Sequence, residues 1–132
     1  MREISYDEFK KLSIFNNFIT TNSGVGRLKI RAYAASEALP VAGLEVVVSS
    51  IIDNYNVIFF DGFTDASGVV ETINLPAPKA VINNMDVPLS AKYLLTARDT
   101  KSSREYTFSI SMYDGVCVVQ NINIILGDTS GS

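Results

Sequence analysis

The stretch Ala38-Leu39-Pro40-Val41-Ala42-Gly43-Leu44-Glu45-Val46-Val47-Val48 decides the fold. Pro40 presets φ and Gly43 permits tight or left-handed backbone, so the pair marks a turn. The run that follows places Leu44, Val46 and Val48 on one side, the period-two pattern of a half-buried strand. A second turn, Thr64-Asp65-Ala66-Ser67-Gly68, stands one strand further on. There the Asp65 carboxylate can accept from the turn backbone, and Gly68 can take the positive φ that closes it. The same turn-then-strand order recurs toward the C-terminus.

Working outward from that stretch, seven strands are predicted. They run over 26–33, 44–51, 57–64, 69–75, 91–98, 105–112 and 116–126. The first puts Leu28, Ile30 and Ala32 on one face and Arg27, Lys29 and Arg31 on the other. Alternation is cleanest in the sixth, with Tyr106, Phe108, Ile110 and Met112 against Glu105, Thr107, Ser109 and Ser111. In the fourth, Val69, Glu71, Ile73 and Leu75 are expected to oppose Val70, Thr72 and Asn74. Seven such strands predict an all-β chain, an antiparallel sandwich of two sheets around one core. Residues 76–88, rich in Pro and Asn, read as a surface loop.

The body is preceded by a different grammar. Residues 1–22 read as an amphipathic helical leader, 23–126 as the sandwich and 127–132 as a flexible tail. Ser5-x-x-Glu8 is a capping box. Tyr6, Phe9 and Leu12 fall on one side of the helix it starts, which should dissolve near Asn16-Asn17. Phe15, Phe18 and Ile19 extend the apolar character, and 20–24 reads as a linker.

Composition limits the chemistry. The 132 residues are 47% apolar and 19% charged, with a net charge of −3, which suits one globular domain and not a general nucleic-acid binder. No window approaches the about 20 apolar residues of a membrane span. Charges in Met1-Arg2-Glu3 stand where a Sec signal peptide needs an apolar run, so cytoplasmic synthesis is expected, with later incorporation into a larger body. One cysteine, Cys117, excludes an internal disulfide and a structural zinc site, and in its strand it reads as a small buried or interfacial hydrophobe. The chain has no histidine, so the commonest general base is missing. No catalytic residue, metal ligand or cofactor site is expected, and the chain is not read as an enzyme. Asp61, Asp65 and Asp53 lack the density of a calcium loop. An isopeptide bond would need Lys29, Asn121 or Asn123, and Glu71 or Glu105, but Lys29 alternates with core residues and should face outward.

Several pieces, in order, resemble the carboxypeptidase regulatory-like and transthyretin-like sandwich modules of bacterial envelope and spore proteins. They are Gly26-x-Leu28-x-Ile30, Ala38 to Val48, Thr64-Asp65-x-x-Gly68, Ile73-x-Leu75-Pro76-Ala77-Pro78 and Tyr93-Leu94-Leu95-Thr96-Ala97. The Leu-Pro-Ala-Pro version looks like copies in Firmicutes envelope or spore-associated proteins. The family often has a Gly-aromatic pair after the fifth strand, where Arg98-Asp99-Thr100-Lys101 stands here. The resemblance implies a non-catalytic module for assembly, spacing or ligand binding.

Two surface features point to partners. Arg27, Lys29 and Arg31 form a basic row, read either as edge protection or as an anion contact to an acidic wall polymer or neighbouring subunit. The third strand is apolar on both parities, with Val57, Phe59 and Phe63 against Ile58 and Phe60, so its second face should be covered. The expected cover is the leader, through Phe9, Leu12, Phe15 and Phe18, folded back on its own chain or docked on a neighbouring copy, or else another copy or a host protein. A protein partner or homo-oligomer is therefore expected. Two other roles fit the sequence: a cell-wall glycan-binding accessory, though without tryptophan and with scattered tyrosines, and a phage or contractile-particle decoration protein.

Overall fold

In a computed structural model, residues 1–35, 38–80 and 89–125 are described. The elements, in chain order, are β1 (Arg2–Ser5), α1 (Tyr6–Phe9), α2 (Ile14–Thr21), β2 (Gly24–Ala34), β3 (Leu39–Pro40), β4 (Glu45–Ile52), β5 (Tyr55–Phe63), β6 (Val69–Ala77), β7 (Ala91–Asp99), β8 (Arg104–Met112) and β9 (Cys117–Ile124). Strands β1-β5-β4-β7-β8 make a five-stranded sheet. A second sheet has β2 at its centre, with β6 and β3 antiparallel to it and β9 parallel.

Among the described residues there are nine strands, not seven, and the sheets are mixed, not purely antiparallel. Both additions are short edge strands. β3 is a two-residue bridge to Tyr33 and Ala34, and β1 runs parallel to β5. Parallel neighbours need long crossovers, so the pairings β1–β5 and β2–β9 join segments far apart in the chain and leave no local signature. The predicted loop from 76 is also shortened, because β6 continues through Ala77. Most of the remainder of that loop, 81–88, and the tail 127–132 lie outside the described residues.

The core lies between the sheets. Leu28, Ile30, Ala32 and Ala34 of β2 meet Val46 and Val48 of β4, Tyr93, Leu95 and Ala97 of β7, and Ile110 and Met112 of β8. The Pro40–Gly43 turn is fixed by Thr64, whose buried Oγ1 donates to the Val41 carbonyl at 2.7 Å and accepts from Leu44 N at 3.0 Å. At the second turn, Asp65 Oδ1 accepts from the Ser67 and Val69 amides, and Gly68 takes φ +76°. A Cβ there would stand 2.4 Å from the Ala32 carbonyl oxygen, so the position requires glycine twice over.

Two β-bulges overturn the expected alternation. In β5, Val48 pairs with Phe60 but Ser49 pairs with Ile58, which leaves Phe59 as an extra residue. Phe59 and Phe60 both pack on the core in consequence. The Phe60 ring lies across Gly62, where a Cβ would meet it at 2.7 Å. In β6, Glu71 and Thr72 together oppose Lys29 between the pairs Leu28–Ile73 and Ile30–Val70. Val70, Ile73 and Leu75 are buried, while Glu71 and Thr72 are both exposed. The predicted grouping of Glu71 with Ile73 is thereby corrected.

The leader begins as predicted. Ser5 Oγ accepts from Glu8 N and Glu8 Oε1 accepts from Ser5 N, closing the capping box. The break comes at Lys10–Ser13, earlier than Asn16-Asn17, and α2 runs through those asparagines to Asn22, whose amide N–H bonds to the Phe18 carbonyl. The chain enters β2 at Gly24 with little linker left.

Candidate interaction faces

The leader packs on its own sandwich. Phe9 is 0% exposed and forms a second cluster with Ile4 and Val57, flanked by half-buried Tyr6, Leu12, Phe15 and Phe18. Ring centroids lie 5.4 Å apart for Phe9–Phe18 and 5.7 Å for Phe9–Phe15, both edge-on. Phe59 joins this cluster to the core, 4.6 Å from Tyr6 and edge-on to Tyr93 at 5.1 Å.

The face it covers follows from register. Val57 pairs with Ser50, two residues beyond core-facing Val48, so Val57 points to the same side as Val48. Ile4 pairs with Val57 and shares that side. The leader therefore prolongs the inner face of the five-stranded sheet and leaves the outer face open.

That outer face carries an apolar patch. Phe63, Ile51 and Leu94 are 61%, 64% and 44% exposed. Between them lie half-buried Val47 and Ile58, and the row Ile58–Ser49–Leu94 runs straight across three strands. Cations on this face are engaged: Arg98 pairs with Glu45 at 3.6 Å, and Lys92 Nζ donates to Ser111 Oγ at 2.6 Å. Of the predicted contact residues, Phe63 is here, whereas Val57 and Phe59 are with the leader.

The outer face of the second sheet is polar. Arg27, Lys29, Arg31 and Tyr33 alternate with the core residues of β2. Arg27 is flanked by Asn74 and Cys117, Arg31 by Val69 and Asn121, and Tyr33 by Pro40 and Asn123. Cys117 is exposed, so of the two expected settings, buried or interfacial, the buried one does not hold: β9 turns Val118, Ile122 and Ile124 inward and Cys117 outward. Lys29 lies between Val119 and the Glu71–Thr72 bulge, Asn121 stands one pair further along the same face and Glu105 is in the other sheet; Glu71 and Asn121 are exposed, so the buried setting an isopeptide bond needs is not met.

Among the described residues no three His, Cys, Asp or Glu side chains gather to hold a metal ion. Asp61 and Asp65 are exposed, and Asp65 is spent on its turn. A shallow depression beside Met1, Arg2, Ile14 and Tyr55 holds a single acid, Asp53. Titration shifts are structural. Burial, aided by the nearby Tyr6, pushes the Tyr93 hydroxyl well above the usual phenol range, where it donates to the Pro76 carbonyl. Burial likewise raises Tyr6, offset in part by Lys10. Backbone hydrogen bonds from Ala80 and then Val25 hold the Asp114 carboxyl below its ordinary value, tying the start of β2 to the β8–β9 turn. The Lys101 amide does the same for Asp99.

Among the described residues no helix is long and apolar enough to cross a membrane. No family model matches the chain. No curated protein matches it either. Among solved structures, a 5-hydroxyisourate hydrolase from Klebsiella pneumoniae is 15% identical with a TM-score of 0.44, over 73% of this chain and 86% of its own. Transthyretin from Sparus aurata is 15% identical with a TM-score of 0.46, over 74% and 90%. A sea bream transthyretin in complex with thyroxine gives 16%, 0.46, 70% and 84%. These neighbours are a hydrolase and transthyretins, so they assign neither a reaction nor a ligand to this chain.

Proposed function

We propose that this chain is a non-enzymatic assembly module that associates with a second copy of itself through the outer face of its five-stranded sheet. The observation that carries the reading is the exposed patch of Phe63, Ile51 and Leu94 on a face where an antiparallel-type sheet open to water should be polar. The leader, which could have covered that face, is engaged on the other side.

Charge placement favours a like partner. Phe63 stands with Glu45, Asp61 and Glu105 toward one end of the face, where Arg98 offsets one of the three acids, and Lys92 stands at the other. A two-fold axis through the row Ile58–Ser49–Leu94 would bring Lys92 of one copy toward Glu105 of the next, and Phe63 toward Ile51. Exchange of leaders between copies would add a swapped contact through Phe9, Leu12, Phe15 and Phe18. The setting implied by the sequence resemblance is a bacterial envelope, a spore or a phage-like particle, where a small sandwich serves as a repeating part.

Sedimentation velocity across a concentration series tests this. The expected result is a dimer or larger species at micromolar concentration, reverting to monomer in the Phe63→Asp variant with an unchanged circular dichroism spectrum. A wild-type chain that stays monomeric at about 100 μM, corresponding to association weaker than roughly −5.5 kcal/mol, overturns the reading.

A further inference from the structure

We propose that the outer face of the second sheet binds a linear glycan bearing carboxylate groups, with Arg27, Lys29 and Arg31 as its anion contacts. This surface lies on the opposite sheet from the assembly face and does not depend on it.

Three observations carry the proposal. First, the basic row has lost its ordinary explanation. Charges on a strand protect free edges, but β2 is the central strand, hydrogen-bonded to β6 on one side and β9 on the other. Second, the three cations stand about 6.6 Å apart on one face and repel one another. Among the described residues none takes part in an ion pair; the described pairs are Lys10–Asp7 and Arg98–Glu45. The contrast with the other sheet, where Arg98 and Lys92 both have partners, is internal to the molecule. Among the described residues of these strands the acid on this face is Glu71, brought out by the β6 bulge opposite Lys29, which leaves Arg27 and Arg31 unopposed at the two ends of a row about 13 Å long.

Third, the surroundings discriminate among anions. Asn74, Asn121 and Asn123 border the row, and each amide offers two donors and one acceptor, the complement of sugar hydroxyls. Tyr33, half-buried, stands at the end of the row across from Asn123. A protein partner would want a buried aromatic or long aliphatic anchor, and among the described residues the exposed large apolar side chains of this face are two valines, Val25 at the start of the row and Val119 beside Lys29. A flat, polar, cationic strip suits an extended polymer whose affinity comes from several weak charge contacts.

The test titrates the full chain with polygalacturonate, with dextran as a neutral glycan and poly-L-glutamate as a carboxylated polymer without hydroxyls. Polygalacturonate should bind, with log K falling against log salt with a slope of about −2 to −3, as three cations each releasing a fraction of a counterion require. Dextran and poly-L-glutamate should bind at least about tenfold more weakly. The Arg27→Gln/Arg31→Gln variant should lose about tenfold or more, and Glu71→Gln should gain severalfold. All three positions point to solvent, so melting temperatures report whether the variants fold. Cys117, directly across from Arg27, gives an independent readout, since bound polymer should slow its alkylation by a neutral maleimide. Equal binding of poly-L-glutamate would make the face a site for acidic polypeptide and overturn the glycan proposal. Binding insensitive to both variants, or no polygalacturonate binding at low salt, would also overturn it.

Discussion

Replacing Phe9 by alanine separates a leader that is part of the fold from one that merely follows the chain. Phe9 is fully buried, touching rings of α1, α2 and, through the cluster, β5. Transfer of its side chain from water is worth about 1.5–3 kcal/mol, and the cavity left behind adds to the loss, so the total should be about 3–5 kcal/mol. Against a stability of about 5–15 kcal/mol for a domain, that is a large fraction. The loss should be global, because Phe59 sits at once against Tyr6 and Phe18 of the leader and Tyr93 of the core. Urea denaturation should show a lower midpoint with unchanged slope, and the melting temperature should fall by roughly 10–20 °C. A shift in global stability below about 1 kcal/mol would refute the reasoning, since it would mean that the leader opens without cost to the sandwich.

Two further outcomes follow from the polar interior and the turns. Tyr93→Phe keeps the packing but strands the buried Pro76 carbonyl without its donor, and should cost about 1–3 kcal/mol in the same denaturation assay. Stability should also fall at both ends of the pH scale. Asp114 and Asp99 have folded values below the ordinary 3.8, so their stabilisation is present above pH 3.8 and is lost as pH falls through the lower folded values. Tyr93 has a folded value above the ordinary 10.0, so its contribution is intact below pH 10 and is lost as pH rises beyond that. Asp114→Asn should flatten the acid limb and Tyr93→Phe the alkaline limb of a pH-dependent melting curve.

Strands were legible wherever alternation is regular and the partner lies close in sequence. β4, β7 and β8 end within one residue of where Leu44–Ile51, Ala91–Arg98 and Glu105–Met112 place them. The capping box was equally plain, since it is a contact between residues three apart. β1 and β3 were not legible, because a four-residue and a two-residue edge strand have too few side chains to set a period and are defined by distant partners. The basic row was visible at once. Its meaning depended on β2 being central, and that is fixed by β9, about 90 residues downstream. Exposure of Cys117 had the same cause, a strand whose facing is set by parallel pairing.

The bulge at Phe59 decides which surface remains for a partner. A period-two reading of β5 sets Val57, Phe59 and Phe63 on one face, and predicts a leader laid over the outside of the sheet. If the register of Val48–Phe60 continued without a bulge, Ile51 would pair with Val57, and Val57 would point outward as Ile51 does. Phe9 and Ile4 would then have to follow it, and would lie over the outer side with Val47, Phe59 and Leu94. The extra residue instead turns Val57 to the core side while Phe63, beyond the bulge, stays outside. The same aromatic residue that ties the leader to the core, Phe59, is therefore what frees the opposite face. The Glu71–Thr72 bulge acts on the second sheet in the same way: it keeps Val70 inside and sets one acid beside three cations. Each outer face owes its chemistry to one inserted residue in a neighbouring strand, and the two faces can change independently because the insertions lie in different sheets.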